Sequence, residues 1–192
     1  MSLADLLADA RSLDGLTADP ADPEARARYC DLVGVDECGA SYVDASGCAL
    51  VVLALWRRAG CRHPLLDAPT RDRHAFGDVL DIARAAGALH GPERIPQQGD
   101  VVMVGDLGPG DPLHGRAGGP GHVWTVIEAG VEEGVTVGLD GGQRSGAHQA
   151  IRIRVHQVRD GHDWAPSSDP GGGAIRVVRY VIDGGAVLAA LG

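Results

Sequence analysis

The chain has 192 residues, enough to bury one good core, and its apolar fraction of 44% is that of an ordinary globular protein. Aromatic residues make up only 4%, so Leu, Val, Ile and Ala must fill the interior; all 17 basic residues are Arg. A formal charge of -9 argues against a general nucleic-acid binder, which needs a basic face for phosphates, and no apolar run approaches membrane-spanning length.

Apolar residues recur every three or four positions over 3–13, which predicts a short amphipathic helix. Asp-Pro pairs at 19–20 and 22–23 mark a turn, and Asp22-Pro23 starts a second helix that runs to about Val33. The stretch 34–46 is rich in Gly, Asp and Ser and reads as loop. Ser46 then caps an apolar helix that stops at Gly60. A further helix over about 71–86 is closed by Gly87. From Pro96 the pattern turns to strands, over 101–104, 123–128, 135–139, 151–158 and 175–182. Ile151-Arg-Ile-Arg-Val155 alternates, which predicts one buried and one exposed face. The Gly/Pro-rich stretches 105–121 and 165–173 read as long loops, and Asp183-Gly-Gly introduces a short C-terminal helix. Helices first and an antiparallel sheet afterwards is the α+β pattern. The expected organisation is a single domain, 1–192: a helical part (1–40), a core (41–160), and a closing strand and helix (174–192).

Four cysteines, Cys30, Cys38, Cys48 and Cys61, include no CxxC pair, so a structural zinc site is not expected. Cys30, Cys38 and Cys61 read as structural, either as buried thiols in the cytoplasm or with a Cys30–Cys38 bridge in an exported protein. The acidic start Met-Ser-Leu-Ala-Asp lacks the pattern of a secretory signal. The chain as encoded therefore reads as cytoplasmic, or as exported by a non-classical route. His148, His156 and His162 form no HxH or HExxH spacing and read as solvated side chains. Neither glycine-rich stretch matches a phosphate-binding loop, and no metal or organic cofactor is implied.

The chemistry points to Cys48, placed where the turn-forming segment becomes the apolar helix. A helix N-terminus favours thiolate over thiol, and the thiolate is the nucleophile. Gly121-His122-Val-Trp-Thr-Val-Ile127 reads as a strand whose histidine could serve as the base. The following strand offers Asp140 at its end and Gln143 just beyond as the group that orients the imidazole. The carboxylate is preferred because it stabilises the imidazolium better than an amide does. The Cys48 amide is the first candidate donor to the oxyanion. Trp124, two residues after His122, either fills core or walls a substrate groove.

The order of a helix-opening Cys48, Pro96-Gln-Gln-Gly-Asp-Val-Val102 and Gly121-His-Val123 resembles the papain-like NlpC/P60 and CHAP peptidases and amidases, over roughly residues 42–158. The resemblance implies a helix carrying the nucleophile packed on a small antiparallel sheet, with Tyr42 contributing a hydroxyl to the same pocket. It also implies cleavage of an amide bond in a peptide or peptidoglycan stem peptide. A lysin or a delivered toxin would fit, the toxin with an immunity or inhibitor protein as partner. Gly47 and Ala49 depart from the pattern, which has Asp or Ser before the cysteine and Ser or Ala-aromatic after it. The competing readings are a non-catalytic interaction domain of the same fold and an acyl transferase using the same three residues.

Overall fold

A computed structural model describes residues 2–35, 41–69, 75–91, 93–106, 121–130, 135–145, 148–159, 163–166 and 176–192; at 41–46, 143–145 and parts of the last strands it describes the backbone alone. The first two helices begin where side-chain oxygens can take up free amides. Ser2 and Asp5 form a reciprocal capping box on α1 (Leu3–Ser12), and the Asp22 carboxylate accepts from the Ala25 amide at 3.0 Å, with Pro23 opening α2 (Pro23–Val33). Gly34, at φ +70°, supplies the left-handed residue that ends α2.

The central helix α3 (Ser41–Arg58) starts two turns earlier than the composition of 34–46 predicts, so Ser46 is not its cap. Its body, from Ala49 to Trp56, is buried on every side, as an all-apolar helix must be. A one-turn helix α4 (Pro64–Asp67), which the periodicity does not reveal, precedes α5 (Ala75–Ala85) and α6 (Gly184–Leu191). The predicted start of α5 at 71–74 lies outside the described residues, as do 36–40.

All strand pairings are antiparallel, so the molecule is α+β with its helices segregated from the sheet. The strands are β1 (Leu89–His90), β2 (Val101–Asp106), β3 (Gly121–Ala129), β4 (Val135–Ser145), β5 (His148–Arg159), β6 (Asp163–Pro166) and β7 (Arg176–Ile182). Their order is β1-β7-β2-β3-β4-β5-β6, and β6 also pairs with β7, so six strands close a ring with β1 attached to β7. Two of these strands escape the sequence reading: β1 is only two residues long, and β6 occupies ground read partly as loop. Of the two expected long loops, most of 105–121 and 165–173 lies outside the described residues.

Alternation along β2 and β3 divides the sheet's two faces. Val101, Met103, Val123 and Ile127 join the helices in one large core, whereas Val102, Val104, Trp124, Val126 and Val181 form a second, fully buried cluster on the face turned away from them. Gly99-Asp100 ties the start of β2 to α6. The Asp100 carboxylate, 2% exposed, accepts from the Gln97 amide at 2.9 Å and the Gly184 amide at 3.3 Å. Arg94 completes the clasp by pairing with both Asp100 and Asp183. No described helix is long and apolar enough to cross a membrane.

Candidate active site

Cys48 lies in the second turn of α3, past the four N-terminal amides that have no helical partner. The expected placement at the helix start, with its free amide ready for an oxyanion, is therefore corrected: intrahelical pairing already engages a backbone amide at that depth. What brings the thiol to the site is the packing of the helix on β4. The β4–β5 register shifts between Asp140 and Gln143, where Gly141 and Gly142 stand opposite the single residue Ile151 and press against the helix. A Cβ on Gly142 would stand 2.9 Å from the Cys48 nitrogen, and one on Gly47 2.8 Å from the Gly142 Cα. Gly142 also sits at φ +68°, where a side chain would be strained.

Gly47 before the cysteine thus has a steric reason. Gly→Ala in an open helix interior stabilises by about 1 kcal/mol. Here Gly47→Ala should do the reverse, because backbone rather than a flexible side chain blocks the methyl, with an overpacking cost of about 1–3 kcal/mol. Thermal unfolding monitored by circular dichroism reads the sign, and a raised Tm would refute the close approach.

His122, on β3, is 6% exposed and Asp140, on β4, is fully buried. Their Nε2 and Oδ1 atoms are 2.6 Å apart, the separation of a strong charge-assisted hydrogen bond in which the ring donates. With Nε2 so engaged, Nδ1 is the other ring nitrogen, and Cys48 is close enough to favour the charged ring. Burial opposes a charged ring at His122, but the hydrogen bonds to Asp140 and Cys48 outweigh it and push its pKa up to about 9. Burial likewise penalises the Asp140 anion, yet two imidazole donors hold its pKa below the ordinary carboxylate value.

The second donor is a correction to the sequence reading. His156, on β5, is not solvated: it is fully buried, its Nε2 lies 2.9 Å from Asp140 Oδ2, and its ring stacks on Trp124 at a centroid distance of 4.1 Å and an angle of 12°. Burial keeps the His156 pKa below the ordinary value; Asp140 pulls the other way, and the neighbouring His122 and Arg154 add to the lowering.

Trp124 is also fully buried, so it forms the floor beneath the histidines and cannot wall a substrate groove. The side chains of Gln143 and Tyr42 lie outside the described residues. Gln149, 6% exposed on β5, is a polar neighbour with no sequence signal: its Oε1 would lie 3.5 Å from a Cβ on Gly47 and has no hydrogen-bond partner among the described residues. His148 is partly exposed beside Asp19, at 3.7 Å, and His162 is not among the described residues.

Comparisons with protein-family models, with curated proteins and with solved structures find no match for this chain. The chemistry of the site must therefore be argued from its geometry. Both Asp140 oxygens accept from imidazole N–H groups, so the lone pairs do not converge on an empty centre, and the described residues contain no cluster of three or more His, Cys, Asp or Glu able to hold a metal ion. Of the remaining cysteines, Cys30 is disulfide-bonded with its partner outside the described residues, and Cys61 is a buried free thiol whose pKa burial pushes up. That rise makes Cys61 a poor nucleophile.

Proposed function

We propose that the protein is a cysteine hydrolase of the papain-like kind, cleaving an amide bond through Cys48, His122 and Asp140. The observation that carries this reading is a buried carboxylate 2.6 Å from one nitrogen of an imidazole that Cys48 also helps to keep charged. A ring that stays charged to about pH 9 is the partner that a thiolate nucleophile calls for.

In the reaction the Cys48 sulfur attacks the substrate carbonyl carbon and forms a C–S bond. His122 gives its proton to the departing amine, leaving an acyl-enzyme. A water molecule then loses a proton to His122, attacks the thioester and expels the thiolate. Asp140 keeps the imidazole in one orientation and stabilises its charged form throughout. With the Cys48 amide committed to its helix, the Gln149 side chain beside Gly47 is a buried polar group able to turn an N–H toward the developing oxyanion.

The order of motifs shared with NlpC/P60 and CHAP enzymes supports peptidoglycan stem peptides as the substrate class. The disulfide at Cys30 supports work in an oxidising compartment, hence an exported lysin or toxin over a cytoplasmic enzyme. Alkylation by iodoacetamide across pH tests the nucleophile. At pH 6 an unassisted thiol with a pKa of ~8.5 is under ~1% thiolate. On the proposed mechanism Cys48 should react there measurably faster than a model thiol. Reaction no faster than that of the model thiol would remove the enzymatic reading and leave the interaction domain. The products from purified peptidoglycan, with and without an added amine, separate hydrolysis from acyl transfer.

A further inference from the structure

Hydrolysis by Cys48, His122 and Asp140 requires only one of the carboxylate's oxygens, yet both are held by imidazole rings. The second ring, His156, is fixed as tightly as the first. It lies flat on Trp124, and Gly138 on β4 leaves it room: a Cβ there would collide with Trp124 Cδ1 and come within 3.0 Å of His156 Cδ2. A glycine cleared for the ring, an indole stacked against it and a buried carboxylate at 2.9 Å together specify a histidine at this position, where an apolar side chain would fill the volume equally well.

We propose that His156 is a positioning residue of the site: its Nε2–H holds Asp140 Oδ2, which fixes Oδ1 toward His122 and keeps the carboxylate available as its partner. The proposal rests on the reading of Cys48, His122 and Asp140 as a cysteine hydrolase site. Without His156 the carboxylate would be buried with one oxygen unpaired, and its lowest-energy escape is rotation or protonation. Either outcome weakens its hold on His122.

Among the described residues, the groups facing His156 include Asp140 and Gly138 on β4, Trp124 and His122 on β3, and Arg154 on its own strand. Burial and the two positive neighbours disfavour a second charge, so His156 acts as a neutral donor while His122 carries the proton. The two histidines therefore divide the work that a lone carboxylate–imidazole pair would leave to solvent.

Nitrogen NMR of the full chain labelled at histidine reads this directly. In the unmutated protein His156 should remain neutral with its proton on Nε2 at pH 7, where His122 is an imidazolium. A charged His156, or one protonated on Nδ1, overturns the proposal without recourse to any variant. His156→Phe keeps the stack on Trp124 and removes the donor. The His122 titration should then fall by at least ~1 pH unit and iodoacetamide alkylation of Cys48 at pH 6 should slow ~10-fold, since each unit is a factor of ten. His156→Gln, which restores an N–H donor, should recover most of that loss. An unchanged His122 titration in a folded His156→Phe protein refutes the proposal. Ordinary thiol reactivity of Cys48 in the unmutated protein would refute the hydrolase reading alone, because the NMR measurements still decide the role of His156.

Discussion

On the proposed mechanism, Cys48→Ala should leave a folded protein that no longer cleaves an amide substrate, with a fall in kcat on the order of 10⁴-fold or more. The size follows from the role: without the sulfur there is no acyl-enzyme, and the remaining groups can only bind and polarise the carbonyl. The fold survives because alanine is the best helix former and the substitution removes one atom at the junction of α3 and β4, at a cost of about 1 kcal/mol. Product release from peptidoglycan measures the activity, and the melting curve shows that structure is intact. Activity within ~10-fold of the unmutated protein would exclude covalent catalysis at this residue.

Asp140→Ala has the larger structural effect, because one substitution leaves two buried imidazoles without their acceptor. Removing one member of a buried charged network costs about 3–5 kcal/mol. For a protein of this size that lowers Tm by roughly 10 °C. The pH dependence changes with it. A His122 pKa of about 9 against an unperturbed 6.5 means that His122 stabilises the fold fully below pH 6.5, and that this contribution is lost as pH rises toward 9. His156 has the opposite sign: its pKa is lowered, so the fold loses stability as pH falls below 6.5 and the unfolded chain takes up the proton. The depressed Asp140 pKa adds a further acid-side loss as that carboxylate is protonated. The site's contribution is thus greatest near neutrality, and the alkaline decline between pH 6.5 and 9 should vanish in Asp140→Ala. Differential scanning calorimetry from pH 4 to 9 checks both. A Tm within ~2 °C of the parent at neutral pH, less than ~1 kcal/mol at this size, would show that the pairs carry no stability.

The meeting of His122 with Asp140 was legible in sequence because the backbone rules that place these two residues are local. Gly121-His122 opens a strand and Asp140 lies on the next, so antiparallel pairing brings them together; the register sets Trp124 against Asp140. Gly99-Asp100 was legible as the turn into a strand, though not as a clasp on α6, since that contact joins residues 84 positions apart. The start of α3 was misread because Gly, Asp and Ser favour turns in isolation. The helix is set instead by its buried apolar body and its contact with Gly141 and Gly142, against which propensity is a weak prior. His156 was missed for a subtler reason. The alternation of Ile151-Arg-Ile-Arg-Val155 correctly assigns His156 to the arginine face, but that face is not uniformly solvated. Toward the end of the strand the closed ring buries it, while Val155 on the other face is 43% exposed. Only closure of the sheet makes this visible, and closure is a property of the whole chain.

That ring is not equally strong around its circumference. Among the described residues β6 meets β7 through two residue pairs, Asp163–Val177 and Trp164–Arg176, whereas the β4–β5 ladder extends from Val135–Gln157 to Ser145–His148. Local opening follows the least-paired seam, so amide hydrogens at the β6–β7 junction should exchange with solvent well before those of β3, β4 and β5. His122 and Asp140 stand on β3 and β4, the two strands farthest from that seam, whereas His156 stands on β5 and pairs with Pro166 of β6, so breathing of the ring reaches the carboxylate through its second histidine.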